Sequence, residues 1–142
     1  MKIVPLSKEN LKGVYEIEKT CFSNPWSLED LAKQIELETS HFYVAEVDNK
    51  VVGYMGLQIF SGEGYVTNVA VLPNYRGQGI AKALIAKQFE NEMSFITLEV
   101  RQSNAPAISL YEKMGFENVG TRPNFYTNPK ENAIIMTKYI KQ

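Results

Sequence analysis

The chain has little of what inorganic sites are built from. Cys21 is the single cysteine in 142 residues. That excludes an intramolecular disulfide and a zinc site made of several thiolates. His41 is the single histidine, which excludes a cluster of imidazole ligands; no metal is expected. No apolar run approaches the roughly 20 residues that span a bilayer. The start, Met1-Lys2-Ile3-Val4-Pro5, lacks the apolar stretch and small-residue cleavage site of a secretory leader. No membrane role is expected, and the expected location is the cytosol. With a formal net charge of -1 there is no basic excess to hold a phosphate backbone, so no direct nucleic-acid partner is expected. Glycine and proline, 9 and 6 residues, are too few for a collagen-like or low-complexity chain. What is present is ordinary for a globular protein: 44% apolar and 22% charged residues. The length suits a single domain over residues 1–142, able to bury roughly two-thirds of its unfolded surface.

The charges divide unevenly. Residues 1–65 carry six Lys/Arg and ten Asp/Glu, whereas residues 66–142 carry nine and six. Either these are scattered solvated charges, or one half favours a cation and the other a polyanion.

The hydrophobic pattern alternates between helix and strand periods. Ser7 is a candidate N-cap for a helix carrying Leu11, Val14, Tyr15 and Ile17. Phe22–Ser27 interrupts it. Ser27, with Asp30 three residues on, then caps a second helix through Leu28, Leu31 and Ile35. Strands are predicted over Phe42–Val47, Val51–Phe60 and Tyr65–Leu72. They are joined by Asp48-Asn49 and by Ser61-Gly62-Glu63-Gly64. Ile80, Ala81, Leu84, Ile85 and Phe89 share one helical face. Phe95–Val100 alternates as a strand, with Ile96, Leu98 and Val100 on one side. A helix over Ala105–Lys113 is closed by Gly115. Phe116–Gly120 and Ala133–Tyr139 read as the last strands. This order predicts an α+β fold with a mixed, largely antiparallel sheet flanked by helices.

The chemistry-bearing segment runs from Val69 to Ala81, ending in Arg76-Gly77-Gln78-Gly79-Ile80-Ala81. A strand ends at Pro73, a turn with two glycines follows, and a helix begins. Glycines let backbone N–H groups approach a ligand without Cβ interference. A helix start adds unsatisfied N–H groups and a positive dipole, which suits a phosphate. Arg76 could add a charge-assisted contact. The alternative is a glycine turn that only starts a helix. The segment lacks the Gly-Lys-Ser/Thr ending of a P-loop. It also lacks the third glycine of a dinucleotide fingerprint, since Lys82 stands there.

Arg76-Gly77-Gln78-Gly79-Ile80-Ala81 resembles the Arg/Gln-x-x-Gly-x-Gly/Ala motif of the GCN5-related N-acetyltransferases. Asn104 through Tyr111 to Gly115-Phe116 resembles that family's second signature. More narrowly the chain is similar to the bacterial ribosomal-protein-alanine N-acetyltransferases. The matching pieces are Pro25-Trp26-Ser27, Asn68-Val69-Ala70-Val71, Leu98-Glu99-Val100-Arg101, Ser103-Asn104, Asn124-Phe125-Tyr126 and Ala133-Ile134-Ile135-Met136. The resemblance implies the family's acyl-CoA N-acyltransferase fold, its sheet splayed between the fourth and fifth strands. It implies acetyl-CoA as cosubstrate. The pantetheine arm would lie against the backbone of Val69, Ala70 and Val71, with Asn104 contacting it. The diphosphate would lie at Arg76, Gly77, Gln78, Gly79, Ile80, Ala81 and Lys82. The acceptor it implies is the N-terminus of a protein, such as a ribosomal protein. A small-molecule amine is the alternative, and a non-catalytic CoA-binding module the rival from another class.

The resemblance also assigns the catalytic pair. Acetyl transfer needs a neutral amine, although a free α-amine has a pKa near about 8 and is mostly protonated at neutral pH. Glu99 matches the subgroup's base. It sits in an apolar strand, where a carboxylate is costly unless partnered or functional, and burial there is expected to raise its pKa. Tyr111 matches the acid. It lies seven residues, two turns, beyond Asn104, on the same helix face about 10 Å along. Trp26, Phe125 and Tyr126 either wall the acceptor cleft or anchor loops. Cys21 is expected to be a small buried hydrophobe; His41, Tyr65 and Tyr75 receive no role. Two positions depart from the subgroup: Asn132 where it often has aspartate, and Thr127 where it has proline after the tyrosine.

Overall fold

The computed structural model describes residues 1–140. The elements are β1 (Lys2–Pro5), α1 (Leu11–Cys21), α2 (Leu28–Lys33), β2 (Tyr43–Val47), β3 (Lys50–Phe60) and β4 (Glu63–Val71). A 3-10 turn at Pro73–Tyr75 follows, then α3 (Ile80–Gln88), β5 (Phe95–Arg101), α4 (Ala105–Lys113), β6 (Glu117–Thr127) and β7 (Lys130–Tyr139). The strands hydrogen-bond in the order β1-β2-β3-β4-β5-β7-β6. The mixed α+β sheet read from the sequence is therefore observed.

The chain forms two compact units. Met1–Ile59 with Thr67–Glu92 makes the first, and Phe60–Val66 with Met93 onward makes the second. In the first unit α1 and α2 pack their apolar stripes on the sheet. Val14, Ile17 and Leu31 meet Phe42, Val44, Tyr54 and Ala70 in one buried cluster. Ser27 caps α2 as expected, its Oγ accepting from Asp30 N–H at 3.0 Å. The β2–β3 hairpin turns on Asp48 and Asn49, with φ of 50° and 64°, the left-handed pair that a two-residue hairpin requires.

In the second unit β5 pairs antiparallel with β7 from Phe95↔Tyr139 to Arg101↔Ala133. It pairs parallel with β4 over Glu63↔Phe95, Gly64↔Ile96 and Tyr65↔Thr97. Ile96, Leu98 and Val100 are buried, with Tyr111, Phe116, Ile134 and Met136.

The sequence reading missed β1. It is four residues long and ends in Pro5, too short to show a period, yet it pairs with β2 from Lys2↔Glu46 to Pro5↔Tyr43. The residue capping α1 is Asn10 and not Ser7. Asn10 is buried: its Oδ1 accepts from Ser7 N–H at 2.8 Å and its Nδ2 donates to Pro5 O at 3.0 Å. It fastens the end of β1 to the start of α1. β6 extends well past the expected Gly120. Pro123 and Asn124 lie within it, at a register shift between Arg122 and Tyr126. Asn124 sits there at φ 55°, its N–H donating to Asn132 Oδ1 at 2.9 Å.

Candidate active site

The first unit supplies a backbone site. Gly77 and Gly79 have φ of 78° and 81°, conformations that L-residues rarely hold. A Cβ at either position would meet nothing within 4 Å. Positive φ, not crowding within the protein, is therefore what calls for glycine here, and the space in front of the turn is open. Gly79 is the N-cap of α3, which starts at Ile80. The N–H groups of Ile80, Ala81 and Lys82 lie in the first turn, where a helix has no partners of its own for them. Lys82 is exposed on that turn. The donor set fits a diphosphate: oriented N–H groups, a helix dipole and a lysine.

Arg76 is partly committed elsewhere. Its Nε donates to Val71 O at 3.0 Å, and Nη2 lies 3.8 Å from Cys21 Sγ. It closes the end of β4 and leaves its other N–H groups for a ligand. Gln78 Nε2 reaches Asn74 O only at 3.5 Å. Ala70 and Val71 are buried and Val69 is half-buried. Cys21 is half-buried and not a fully buried hydrophobe; its Sγ lies 3.7 Å from Val71 O. The correction follows from its place at the C-terminal end of α1, beside the Arg76 turn.

The second unit supplies side chains. Glu99 stands opposite Ile135 on β5. The expectation that it is buried in an apolar strand is wrong. Alternation sends Ile96, Leu98 and Val100 into the core and Glu99 to the other face, where its side chain is 32% exposed. Arg122 Nε lies 3.6 Å from Glu99 Oε1. Tyr111 is buried on α4, its ring 5.6 Å from that of Phe116. Burial pushes its phenol up to about 12, with the Tyr126 hydroxyl adding to the shift. The group therefore carries its proton at neutral pH, as a donor must. Among the described residues no hydrogen bond ties its hydroxyl. Asn104 is the exposed N-cap of α4, its Oδ1 accepting from Ala107 N–H at 3.2 Å.

The contacts of Arg101 and Glu131 were not foreseen from the sequence. Arg101 Nη1 donates to Pro129 O at 2.9 Å and to Glu131 Oε1 at 3.2 Å, and Nη2 donates to Asn128 O at 3.3 Å. The guanidinium also lies over the Tyr126 ring, 4.2 Å from its centroid. Glu131 Oε2 accepts from Ser103 N–H at 2.6 Å. Hydrogen bonding from Ser103, with Arg101 adding to it, holds Glu131 below the usual carboxylate range. Tyr126 is raised by burial and then by the charge of Glu99. Asn132, the departure from the subgroup, has a local use: Nδ2 donates to Gln102 Oε1 at 3.2 Å while Oδ1 holds Asn124.

The remaining candidates have structural partners. His41 pairs its backbone with Leu57 and its carbonyl accepts from Gln88 Nε2 at 2.8 Å. Tyr65 donates to Glu63 Oε1 at 2.8 Å, and Lys50 Nζ lies over the Tyr75 ring. Trp26 packs 5.9 Å from Phe42, and Phe125 lies edge-on to Tyr126 at 5.0 Å. Among the described residues no group of His, Cys, Asp and Glu could hold a metal ion, and no helix is long and apolar enough to cross a membrane.

The chain thus carries a helix-start turn that offers phosphate donors, a partly exposed carboxylate and a protonated phenol. The chain belongs to the acetyltransferase (GNAT) family, whose model matches residues 11–116, and it is an N-acetyltransferase. It is 37% identical over 139 residues to a putative [ribosomal protein bS18]-alanine N-acetyltransferase of Bacillus subtilis, covering 94% of this chain and 92% of that one. The crystal structure of the ribosomal-protein-S18-alanine N-acetyltransferase from Escherichia coli superposes with a TM-score of 0.89. It is 32% identical and covers 99% of this chain and 94% of its own. A chain of the NatC complex, solved bound to Gag peptide and CoA, matches with a TM-score of 0.79 at 26% identity. That match covers 99% of this chain and all of that one (100%).

Proposed function

We propose that this protein transfers an acetyl group from acetyl-CoA to the α-amine of a protein N-terminus, directly and within a ternary complex. Diphosphate would rest on the N–H groups of the Gly77–Lys82 turn. The backbone of Val69–Val71 and the Asn104 amide would hold the pantetheine arm. The acceptor amine would give its proton to Glu99, and Trp26 on the first unit and Tyr126 on the second are each read as acceptor-side aromatics.

The observation that carries the chemistry is the contrast between Glu99 and Tyr111 within one unit. Glu99 is 32% exposed beside Arg122, able to meet an ammonium from solvent. Tyr111 is buried and keeps its proton at neutral pH. A base that takes the amine proton and an acid that protonates the departing thiolate are what acyl transfer needs. As the amine nitrogen attacks the thioester carbon, Glu99 accepts its proton. The tetrahedral intermediate collapses with cleavage of the C–S bond, and the CoA sulfur takes the proton of Tyr111. The phenolate is then reprotonated from solvent. No acetyl-enzyme forms, and Cys21 takes no part.

The names of the Bacillus and Escherichia relatives support a protein acceptor starting with alanine, a ribosomal protein such as bS18, and hence a cytoplasmic site of action. The Asn132 departure does not weaken this, since Asn132 serves β6. An acceptor screen tests it. Peptides with free N-terminal Ala, Ser or Met compete against polyamines and aminoglycosides, with CoA thiol release as the readout and mass spectrometry to locate the acetyl group. The expected product is an α-acetylated Ala-initiated peptide, with no thiol release in the absence of acceptor. Acetylation mainly on lysine side chains or on the small amines would overturn the protein-N-terminus reading.

A further inference from the structure

Glu18 is a buried carboxylate, 1% exposed, on the apolar stripe of α1 between Val14 and Cys21. Among the described residues no lysine or arginine pairs with it. It is held instead by three donors. Its Oε1 accepts from the backbone N–H of Trp26 at 2.8 Å. Its Oε2 accepts from the Tyr54 hydroxyl at 2.5 Å and from Asn68 Nδ2 at 3.4 Å. Burial and the neighbouring Glu18 push the Tyr54 phenol well up, so it remains a donor. The bond to Glu18 also fixes the Asn68 amide, because turning it over would set oxygen against carboxylate. Asn68 Oδ1 is left buried with no partner.

A leucine at position 18 would continue the stripe without the cost of a desolvated charge. What the carboxylate does that a leucine would not is hold a loop. Residues 22–27 join α1 to α2 without regular structure, so the inward N–H of Trp26 has no ladder or helix to satisfy it. Glu18 satisfies it. In doing so it sets where the indole sits: against Phe42 on one side, and on the other lining a shallow surface hollow with Asp30 and Gln34.

We propose that Glu18 is a positioning residue for the acceptor, which fixes Trp26 as a rigid wall of the acceptor site through the Trp26 backbone N–H. The inference rests on the reading of Trp26 as part of the acceptor side. Glu18 touches neither substrate and moves no proton.

Trp26 is the only tryptophan, so its fluorescence reports the wall alone. Glu18→Gln keeps the size of the side chain, but its amide has one acceptor oxygen for three donors. The expected result is a red-shifted emission with stronger acrylamide quenching, together with a roughly tenfold rise in acceptor KM, the scale of a misplaced positioning contact. The KM for acetyl-CoA stays unchanged. Tyr54→Phe removes a donor from Oε2 but leaves the Trp26 bond, and neither readout should move. Unchanged quenching in Glu18→Gln overturns the proposal, and so does increased quenching with an unchanged acceptor KM. Equal effects in Tyr54→Phe, or a parallel rise in both KM values, would mark general core damage and overturn it too. Should Glu18→Gln fail to fold, Glu18→Asp is read in its place. If neither folds, the carboxylate serves the fold and not the acceptor. Kinetics use whichever amine the wild-type protein acetylates, so failure of the peptide reading shows in the wild type alone.

Discussion

The two units differ in what they offer a substrate. The first presents backbone: N–H groups at a turn bent by two glycines of positive φ, followed by the start of α3. The second presents side chains whose properties depend on their surroundings: Glu99 against Arg122, Tyr111 against Phe116, Tyr126 under Arg101. Backbone donors are the same at any pH and ask only for the right φ. Proton-transfer groups depend on burial, charge and partners, and so titrate. Substitutions in the first unit should therefore change affinity with no new pH dependence. Substitution of Glu99 in the second should change the pH profile with little effect on acetyl-CoA affinity.

The largest effect should come from Glu99→Gln. The shape is kept but no proton can be accepted, so the amine must arrive neutral. The rate at pH 7 should fall by about 10²–10⁴, the usual worth of a positioned base. The deficit should shrink toward about pH 9, as solvent supplies more neutral α-amine. A pH–rate profile parallel to that of the wild type would remove Glu99 from the mechanism.

Gly79→Asp tests the other unit. It forces a side chain into a left-handed position and sets a negative charge where diphosphate would lie. Acetyl-CoA should bind at least about tenfold more weakly, a loss of about 1.4 kcal/mol, and the ratio to wild type should be flat with pH. Calorimetry on the folded variant decides this, and unchanged affinity would break the comparison.

A smaller change is expected for Tyr111→Phe. CoA thiolate leaves readily, so the rate loss should stay below the about 10² that marks the low end for a positioned acid or base. Raising the pH should not restore it. Thermal stability should hold, because the Tyr111 hydroxyl has no hydrogen bond to lose among the described residues. A loss that vanishes at high pH would mean that Tyr111 acts on the amine.

The smallest effect concerns Glu131, whose side chain is 18% exposed. Its carboxyl is held below the usual range in the folded chain. Such a group stabilises the fold fully above the unfolded carboxylate pKa, and that stabilisation disappears as the pH falls through the folded value. Glu131→Gln should therefore lower the melting temperature slightly near neutrality, and the difference from wild type should close in acid. A gap that widens as the pH falls would reverse the assignment.

The same division explains what could be read from the sequence. The Gly77–Gly79 turn was legible because glycine identity alone reports a left-handed backbone between a strand and a helix. So was α4, whose bounds Ala105 and Lys113 are those observed. The surroundings of Glu99 were not legible. Strand period places it opposite the core-facing Ile96, Leu98 and Val100, but Arg122 comes from β6, 23 positions on in the chain. Arg101 was visible inside Leu98-Glu99-Val100-Arg101, but its carbonyl partners lie at Asn128 and Pro129, beyond any local pattern. Glu18 did leave a signal: a carboxylate at the spacing of Leu11, Val14 and Cys21 breaks the apolar stripe of α1.

The parallel ladder between β4 and β5 bears on how the chain is made. Its β4 partner lies in Phe60–Val66, yet the rest of the second unit begins only at Met93. Twenty-six residues belonging to the first unit, Thr67–Glu92, must be looped out before the ladder can close, a non-local step of the kind that slows folding. On the ribosome the strand that will flank β5 emerges first and waits. A fragment starting at Met93 would never receive it. Such a fragment would keep the β5–β7 and β6–β7 pairings but expose the β4 side of β5 at Phe95, Ile96 and Thr97 as a free edge. Unprotected edges of this kind recruit other chains, so that fragment should self-associate.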